Sequence, residues 1–327
     1  MRRGRIKYLC KDCNKWFQIN RGKRKPEESL LIAHLSGISF RSLGAIYNIA
    51  PSTAYRRSVS ALKQLPHCAD ITRKYCSKFC GILLVDGKFL KVKGYDRKIP
   101  VIYGIDYLSH DIPSYILAPS ENYQVCRKFF SSLRLLNYPL HAIVSDDNAN
   151  IYQAGVSVYP KAHTQLCHNH YKENIRTALS VRNDPTYVPF MKQIEELFVV
   201  RRSVSEFQHM AQKIMFHHRN DPRCVSVLID IAKRLPQLTA YTHQKHIPTT
   251  NNLIESFNSH LEGRLKTIKG FESFAHANYW LNGYFLRRRL KPFTDCSGQF
   301  TRLNGICSLR ETMDNPKEIT NLLKFFR

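Results

Sequence analysis

Three acidic residues have the types and settings needed to gather divalent cations. Asp86 lies inside ILLVDGKFLKV, with apolar residues on both sides. In a half-buried strand an ionised carboxylate is expensive unless a metal or a partner stabilises it. Gly87 follows and permits close backbone approach. Asp146 closes HAIVSD, at the end of a second strand, where side chains emerge into a crevice. Glu255 stands in the first turn of the helix read from TTNNLIESFNSHLEGRLK. Two strand acids and a helix acid suit a pair of Mg²⁺ or Mn²⁺ ions, because Mg²⁺ takes few protein carboxylates and keeps its other positions for water and phosphate oxygens. Two such ions, roughly 3.5–4 Å apart, activate a water or a 3′-OH and stabilise the leaving oxygen of an in-line phosphoryl displacement.

Each acid also has a plainer reading. Asp86 could pair with Lys88 or Lys91. Asp146 competes with Asp147, and either could cap the next helix. Asn252-x-x-Glu255 has the spacing of a capping box, in which the glutamate reaches back to the cap N–H. Helix phase adds to the catalytic reading. Ile254, Phe257, Leu261, Leu265 and Ile268 form an apolar stripe, and Glu255, Asn258, Ser259, Glu262, Lys266 and Lys269 fall beside it. That flank offers an acid first and ammonium groups further on, with Lys266 and Lys269 suited to a phosphate backbone.

Four blocks must position these residues. Residues 1–25 form a basic arm and 26–66 are helical in pattern. Residues 81–183 alternate β-rich and helical runs, namely ILLVDGKFLKV, VIYGIDY, SYILA, NYQVCRKFFSSLRLL and HAIVSD. Three strands, a helix and a further strand make a mixed α/β sheet rather than a doubly wound parallel one. Residues 184–245 are all-helical, with apolar spacings of three and four, and 246–327 hold the final helices and a tail.

The composition narrows the partners. The 327 residues include 50 Lys plus Arg against 25 Asp plus Glu, a net charge of +25. Such a surplus repels itself unless a polyanion shares the field, so nucleic acid is the expected partner. No apolar run of about 18 residues exists, so no membrane span is expected. The start, MRRGRIKYLC, has no apolar core of a secretory signal. Ten cysteines without dense pairing fit a reducing compartment, and a cytoplasmic setting is expected, at the nucleoid in a prokaryote.

ISFRSLGAIYNIAPSTAYRRSVSALKQL has helix-turn-helix spacing. Ser39 caps a first helix carrying Leu43, Ile46 and Tyr47, and Asn48-Ile49-Ala50 turns. Ser52 caps a second helix with Ala54, Val59 and Leu62 inward. The start of that second helix would enter a major groove, making Ser52, Thr53, Tyr55, Arg56 and Arg57 the candidate DNA contacts. The alternative is a helical hairpin with a solvated basic face. Cys10-x2-Cys13 with Trp16 and Phe17 reads as half of a Zn²⁺ ribbon, but no second CxxC follows and Cys76-x3-Cys80 is a poor partner. Two free thiols are the alternative there.

VDGKF around Asp86, IVSDD around Asp146, CHNH at Cys167–His170 and TTNNLIESFNSHLEGRLK around Glu255 together resemble DDE transposases of prokaryotic insertion sequences, most closely the mutator-like group. The resemblance implies an RNase H-like core, with Asp86, Asp146 and Glu255 as catalytic metal ligands. It also implies a helical insertion between the second and third acids. The spacing agrees: 60 residues separate the first pair and 109 the second, the longer gap holding the helical block. An auxiliary C-x-x-H element maps to Cys167 and His170, whose plainer reading is a buried thiol and a hydrogen-bonded histidine. The family's second acid is often followed by Gly, whereas Asp147 follows here. The implied activity is Mg²⁺-dependent cleavage at element ends and strand transfer into target DNA, by a homodimer or higher oligomer on double-stranded DNA. A DNA-binding regulator without catalysis would share the helix-turn-helix and the charge. An RNase H-like nuclease that cuts without joining would share the acids.

Overall fold

The computed structural model describes residues 8–9, 16–17 and 27–326. Cys10 and Cys13, and with them the zinc-ribbon reading, lie outside the described residues. Two short strands, β1 (Tyr8–Leu9) and β2 (Trp16–Phe17), pair antiparallel. Three helices follow: α1 (Glu27–Leu35), α2 (Phe40–Tyr47) and α3 (Pro51–Lys63). Ser39 caps α2 as expected, its Oγ accepting from the Ser42 N–H at 3.3 Å, and Asn48 ends the helix in the left-handed region with φ 51°. The start of α3 differs from expectation. Its cap is Ala50, with no side-chain bond, and Pro51 at the first helical position supplies the helical φ instead, so Ser52 lies inside the helix. Leu43 and Ala54 turn inward, but Ile46 is 54% exposed, and Ser58 is buried where Val59 was expected. The helical phase puts Ser58, four residues after Ala54, on the inner face.

These helices do not stand apart. Leu31, Leu35, Leu62 and Leu65 join the main core together with α4 (Cys68–Tyr75).

The acids' strands belong to a five-stranded mixed sheet. β3 (Ile82–Leu90), β4 (Ile99–Asp106) and β5 (Tyr115–Leu117) form an antiparallel meander. α5 (Tyr123–Leu135) leads to β6 (Ala142–Ser145), α6 (Ala149–Val158) and β7 (His163–Leu166), both strands parallel to β3. The order β5-β4-β3-β6-β7, with β4 alone reversed, is that of an RNase H-like core. Period-two alternation builds both faces. Leu83, Val85, Ile102 and Ile143 pack under α5 and α6, while Ile82, Leu84, Val101, Tyr103 and Val144 face the opposite layer. No membrane-crossing helix, by length and apolarity, exists among the described residues.

After α7 (His168–Ala178) come α8 (Val188–Val199), α9 (Val204–His217), α10 (Pro222–Lys233) and α11 (Leu235–Leu238). They bury their own core, including Phe190, Ile194, Phe207, Leu228 and Ile231. Gln165 on β7 ties this helical insertion to the sheet: its Nε2 donates to the Leu238 carbonyl at 3.3 Å, and its Oε1 accepts from the Tyr241 N–H at 3.0 Å.

α12 (Asn252–Ile268) and α13 (Phe274–Leu290) cover the other sheet face, and α14 (Ser308–Thr312) and α15 (Ile319–Leu323) close the chain. α13 is buried on most sides, polar His276, Asn282 and Arg289 included, and packs Trp280, Leu281, Phe285 and Leu286 into the core. At Gly283 an added Cβ would sit 2.8 Å from Leu62, so the glycine lets α3 and α13 pack closely. At the end of α13, fully buried Arg289 grips fully buried Asp111 through two 2.8 Å hydrogen bonds. Its Nη1 also donates to the Cys68 carbonyl at 3.1 Å and to Thr72 Oγ1 at 2.8 Å. Ser308 and Thr312 donate to the Asp111 carboxylate at 3.0 and 2.7 Å. One ion pair thus joins α4, the loop after β4, α13 and α14.

Candidate active site

Strand register decides where the first two acids emerge. Leu84 on β3 pairs with Val144 on parallel β6. Asp86 and Asp146 each lie two residues further on, so their side chains leave the same face of neighbouring strands, midway along β3 and just past the end of β6. The Asp86 carboxylate is held at both oxygens: Oδ1 accepts from the Gly87 N–H at 2.7 Å and Oδ2 from Asn258 Nδ2 at 2.6 Å. Asn258 in turn accepts from the buried Tyr103 hydroxyl at 2.9 Å. Asn258 stands one turn after Glu255, so this chain of bonds pins the Glu255 helix to the Asp86 strand.

The plainer readings of the acids fail on geometry. Of the two partners considered for Asp86, Lys88 is 2.6 Å from Glu262 instead, and Lys91 makes no ion pair with Asp86 but lines the cleft beside Gly87. Asp147 is 2.5 Å from Arg234, which also holds Asp230 at 3.1 Å, and the cap of α6 is Asn148. Asp146 therefore faces the site and Asp147 faces the helical insertion. No capping box forms at α12: its cap is Asn251, without a side-chain bond, and Glu255 is exposed.

Glu255 meets a second constellation. His170, one turn into α7, has Nδ1 3.6 Å from Glu255 Oε1. Cys167 is the α7 cap residue, and its sulfur accepts from the Asn251 N–H at 3.4 Å. Ligand-type atoms of Cys167, His170 and Glu255 lie within 4.8 Å of one another.

Electrostatics reflect the crowding. Burial, then the Asp146 charge, pushes Asp86 up to about 6, against the pull of the Gly87 N–H. Burial raises Asp146 as well, with Asp147 and Glu255 adding repulsion and His170 opposing it. The Cys167 sulfur, with help from the Glu255 and Asp146 carboxylates, holds His170 up to about 9, so it is protonated at neutral pH. Asp146 Oδ1 and His170 Nδ1 are buried without a hydrogen-bond partner. Acidic oxygens that repel one another, one of them orphaned, are what a hard divalent cation fits.

Residues 18–280 match the model of the Mutator family of transposases. The chain belongs to that family. Its structure is also similar to a chain solved in "Drosophila P element transposase strand transfer complex", at 11% identity and a TM-score of 0.44, covering 82% of this chain and 94% of that one. No curated protein matches.

Two functional candidates in this transposase escaped the sequence reading. Glu121, before α5, accepts a hydrogen bond from Asn148, and burial and the Asp146 charge raise its pKa. A Cβ on Gly87 would lie 3.0 Å from Glu121 Oε2, so Glu121 packs tightly against the VDG glycine. A lone glutamate in a loop carries no periodic signal. Asn258 was read only as part of a flank, since its partners Tyr103 and Asp86 are about 155 and 172 residues away in sequence.

The expected DNA contacts divide. Lys266 and Lys269 line a cleft of about 510 Å³ that opens beside Gly87 and also holds Lys88, Lys91 and Lys98. On α3, Ser52 and Arg56 are exposed and Thr53 and Arg57 half-buried. Tyr55 packs its ring edge-on against Phe40 and His276, at 5.2 and 5.3 Å.

Proposed function

We propose that this transposase cleaves DNA at the ends of its element and joins the freed 3′-OH groups to target DNA, using two Mg²⁺ or Mn²⁺ ions held by Asp86, Asp146 and Glu255. The observation that carries the reading is the shared strand register of Asp86 and Asp146, with Asp146 Oδ1 left buried and unpartnered. When bound, the ions supply Lewis-acid polarisation of the scissile phosphate and a nucleophile at neutral pH. The chain does the rest. Asn258 and the Gly87 N–H fix the Asp86 carboxylate. Protonated His170 offsets the charge of Glu255 and Asp146. The lysine-lined cleft holds the phosphates of the strand, and the exposed edge of α3 meets a major groove. Two or more copies of the chain pair the ends.

Proton linkage gives a test that needs no substrate. The folded-state pKa of Asp86, about 6, lies above its ordinary 3.8. Its ionised form therefore costs the metal-free fold stability that is retained at low pH and lost as pH rises through about 6. Burial raises Asp146 and Glu121 in the same direction. In thermal scans the metal-free midpoint should fall across that interval, while the upward shift produced by Mg²⁺ should grow. Asp86→Asn should flatten both trends. A Mg²⁺ shift independent of pH, or one kept intact by the variant, would rule out these acids as the ligands.

Asn258 is a positioning residue, and Asn258→Asp tests it. A new carboxylate beside Asp86 Oδ2 should raise the pKa of the pair and move the acid limb of the cleavage profile to higher pH. At the optimum, a loss of about 10–100-fold is expected, as for other groups that orient metal ligands. An unmoved pH profile would assign Asn258 a purely structural role.

A further inference from the structure

The side of α12 opposite Glu255 holds a second cluster, which the acids and the lysine cleft do not use. At 3.6 residues per turn, His260 and Arg264 project away from the Glu255 face. With Arg287, Arg288 and Lys291 from the end of α13 they line a recess of about 140 Å³, bounded by Leu35 at the end of α1. Asp295 is the lining carboxylate. None of the four cations makes an ion pair with it, or with any other carboxylate among the described residues.

Their guanidiniums are also held in place. Arg288 is sandwiched between the rings of Phe257 and Phe293, at 4.5 and 4.7 Å. Arg264 lies 5.7 Å from the Tyr284 ring and donates to the His260 carbonyl at 2.6 Å. Arg287 donates to the Ile32 carbonyl at 3.2 Å and to Ser36 Oγ at 2.8 Å, which fixes one nitrogen on α1 and leaves the others free. Burial and neighbouring positive charge lower the pKa of Arg287, and burial lowers that of Arg288. Burial, with the charges of Arg288 and Arg264, keeps His260 below its ordinary value. Stacked, planar, unneutralised guanidiniums in a concave setting are the donors that suit a phosphate.

We propose that this recess is a phosphodiester-binding site, which grips a backbone phosphate of duplex DNA at the seam between the amino-terminal helices and α12. The choice of DNA rests on the reading of the chain as a DNA-cleaving transposase. The site is separate from the acid-bearing face, so it engages a segment of the duplex other than the scissile strand. Its cations hold this chain's own fold under repulsion that the bound phosphate relieves.

The test is binding of a labelled duplex by the full chain in EDTA, where no cleavage occurs, across a salt series. The variant is Arg264→Gln/Lys291→Gln, and the control is Lys128→Gln, an exposed site on α5 across the sheet. The double variant should lower the slope of log affinity against log salt by about 1–2, near one for each lost phosphate contact, and the control should not. Its midpoint without DNA should hold or rise, and inorganic phosphate should raise the wild-type midpoint but not the variant's. If the double variant loses its fold, Lys291→Gln alone, at an exposed position, should still lower the slope by about 1. An unchanged slope in a folded variant overturns the proposal. So does phosphate stabilisation of the wild type with equal slopes, which would mark a free-phosphate site. Because metal and cleavage play no part, failure here and failure of the metal reading are distinguishable.

Discussion

Asp86→Asn should abolish Mg²⁺-dependent strand cleavage, with a loss of about a thousandfold or more, while the protein stays folded and binds DNA. The size follows from the proposed role: a carboxylate that would hold the ions polarising the scissile phosphate would account for several kcal/mol of barrier, at tenfold per 1.4 kcal/mol. The retained fold follows from the setting. Ionised Asp86 is raised to about 6 mainly by burial, so a neutral amide of the same shape removes a destabilising charge. Binding should survive because the exposed α3 residues and the lysine cleft are untouched. A nuclease assay on labelled duplex, with anisotropy for binding and a thermal scan for folding, separates the three. Wild-type cleavage by folded Asp86→Asn would remove Asp86 from the reaction. Equal loss of binding and cleavage would mean that Asp86 serves the fold rather than the reaction, and absence of cleavage by the wild type would favour a DNA-binding regulator.

Arg289→Met should destabilise the chain by about 3–5 kcal/mol, because it leaves a buried carboxylate without its countercharge. Asp111 is fully buried and bonded to Arg289, Ser308 and Thr312. Replacing both members by apolar residues, as Arg289→Met/Asp111→Leu, should recover part of that loss. Urea unfolding of the two singles and the double measures this as a coupling energy. Additive losses would mean that the two residues act independently.

The contrast between Arg289 and its neighbours shows what the sequence could and could not reveal. Arg287, Arg288 and Arg289 form one basic run, which alone reads as a solvated face. The helical turn splits it, sending Arg289 into the core and Arg287 and Arg288 to the recess, and only the tertiary packing of α13 decides which goes where. The three leading strands and α5 were legible because alternating burial leaves a period-two or a three-four pattern. β7 was not. His163-Thr164-Gln165-Leu166 is largely polar, and its buried Gln165 is satisfied by Leu238 and Tyr241, more than 70 residues on. α4 also went unread, as a short helix whose buried Thr72 is satisfied by the Cys68 and Pro113 carbonyls.

The candidate acids carry a local signal: a carboxylate in the apolar run ILLVDGKFLKV has few structural excuses. Choosing Asp146 over Asp147 required Arg234, which reaches back from the helical insertion. Rejecting the capping box required the α12 cap at Asn251. Ser52 carries a cap signal, but Pro51 competes at the same boundary and sets the helix start one residue earlier, with Ala50 as the cap.

The most direct measurement is anomalous scattering from crystals of the full chain grown with Mn²⁺. Two peaks roughly 3.5–4 Å apart, held among Asp86, Asp146 and Glu255, are expected. A single peak among Cys167, His170 and Glu255, with nothing between Asp86 and Asp146, would contradict a two-ion site and move the metal to the thiol and imidazole.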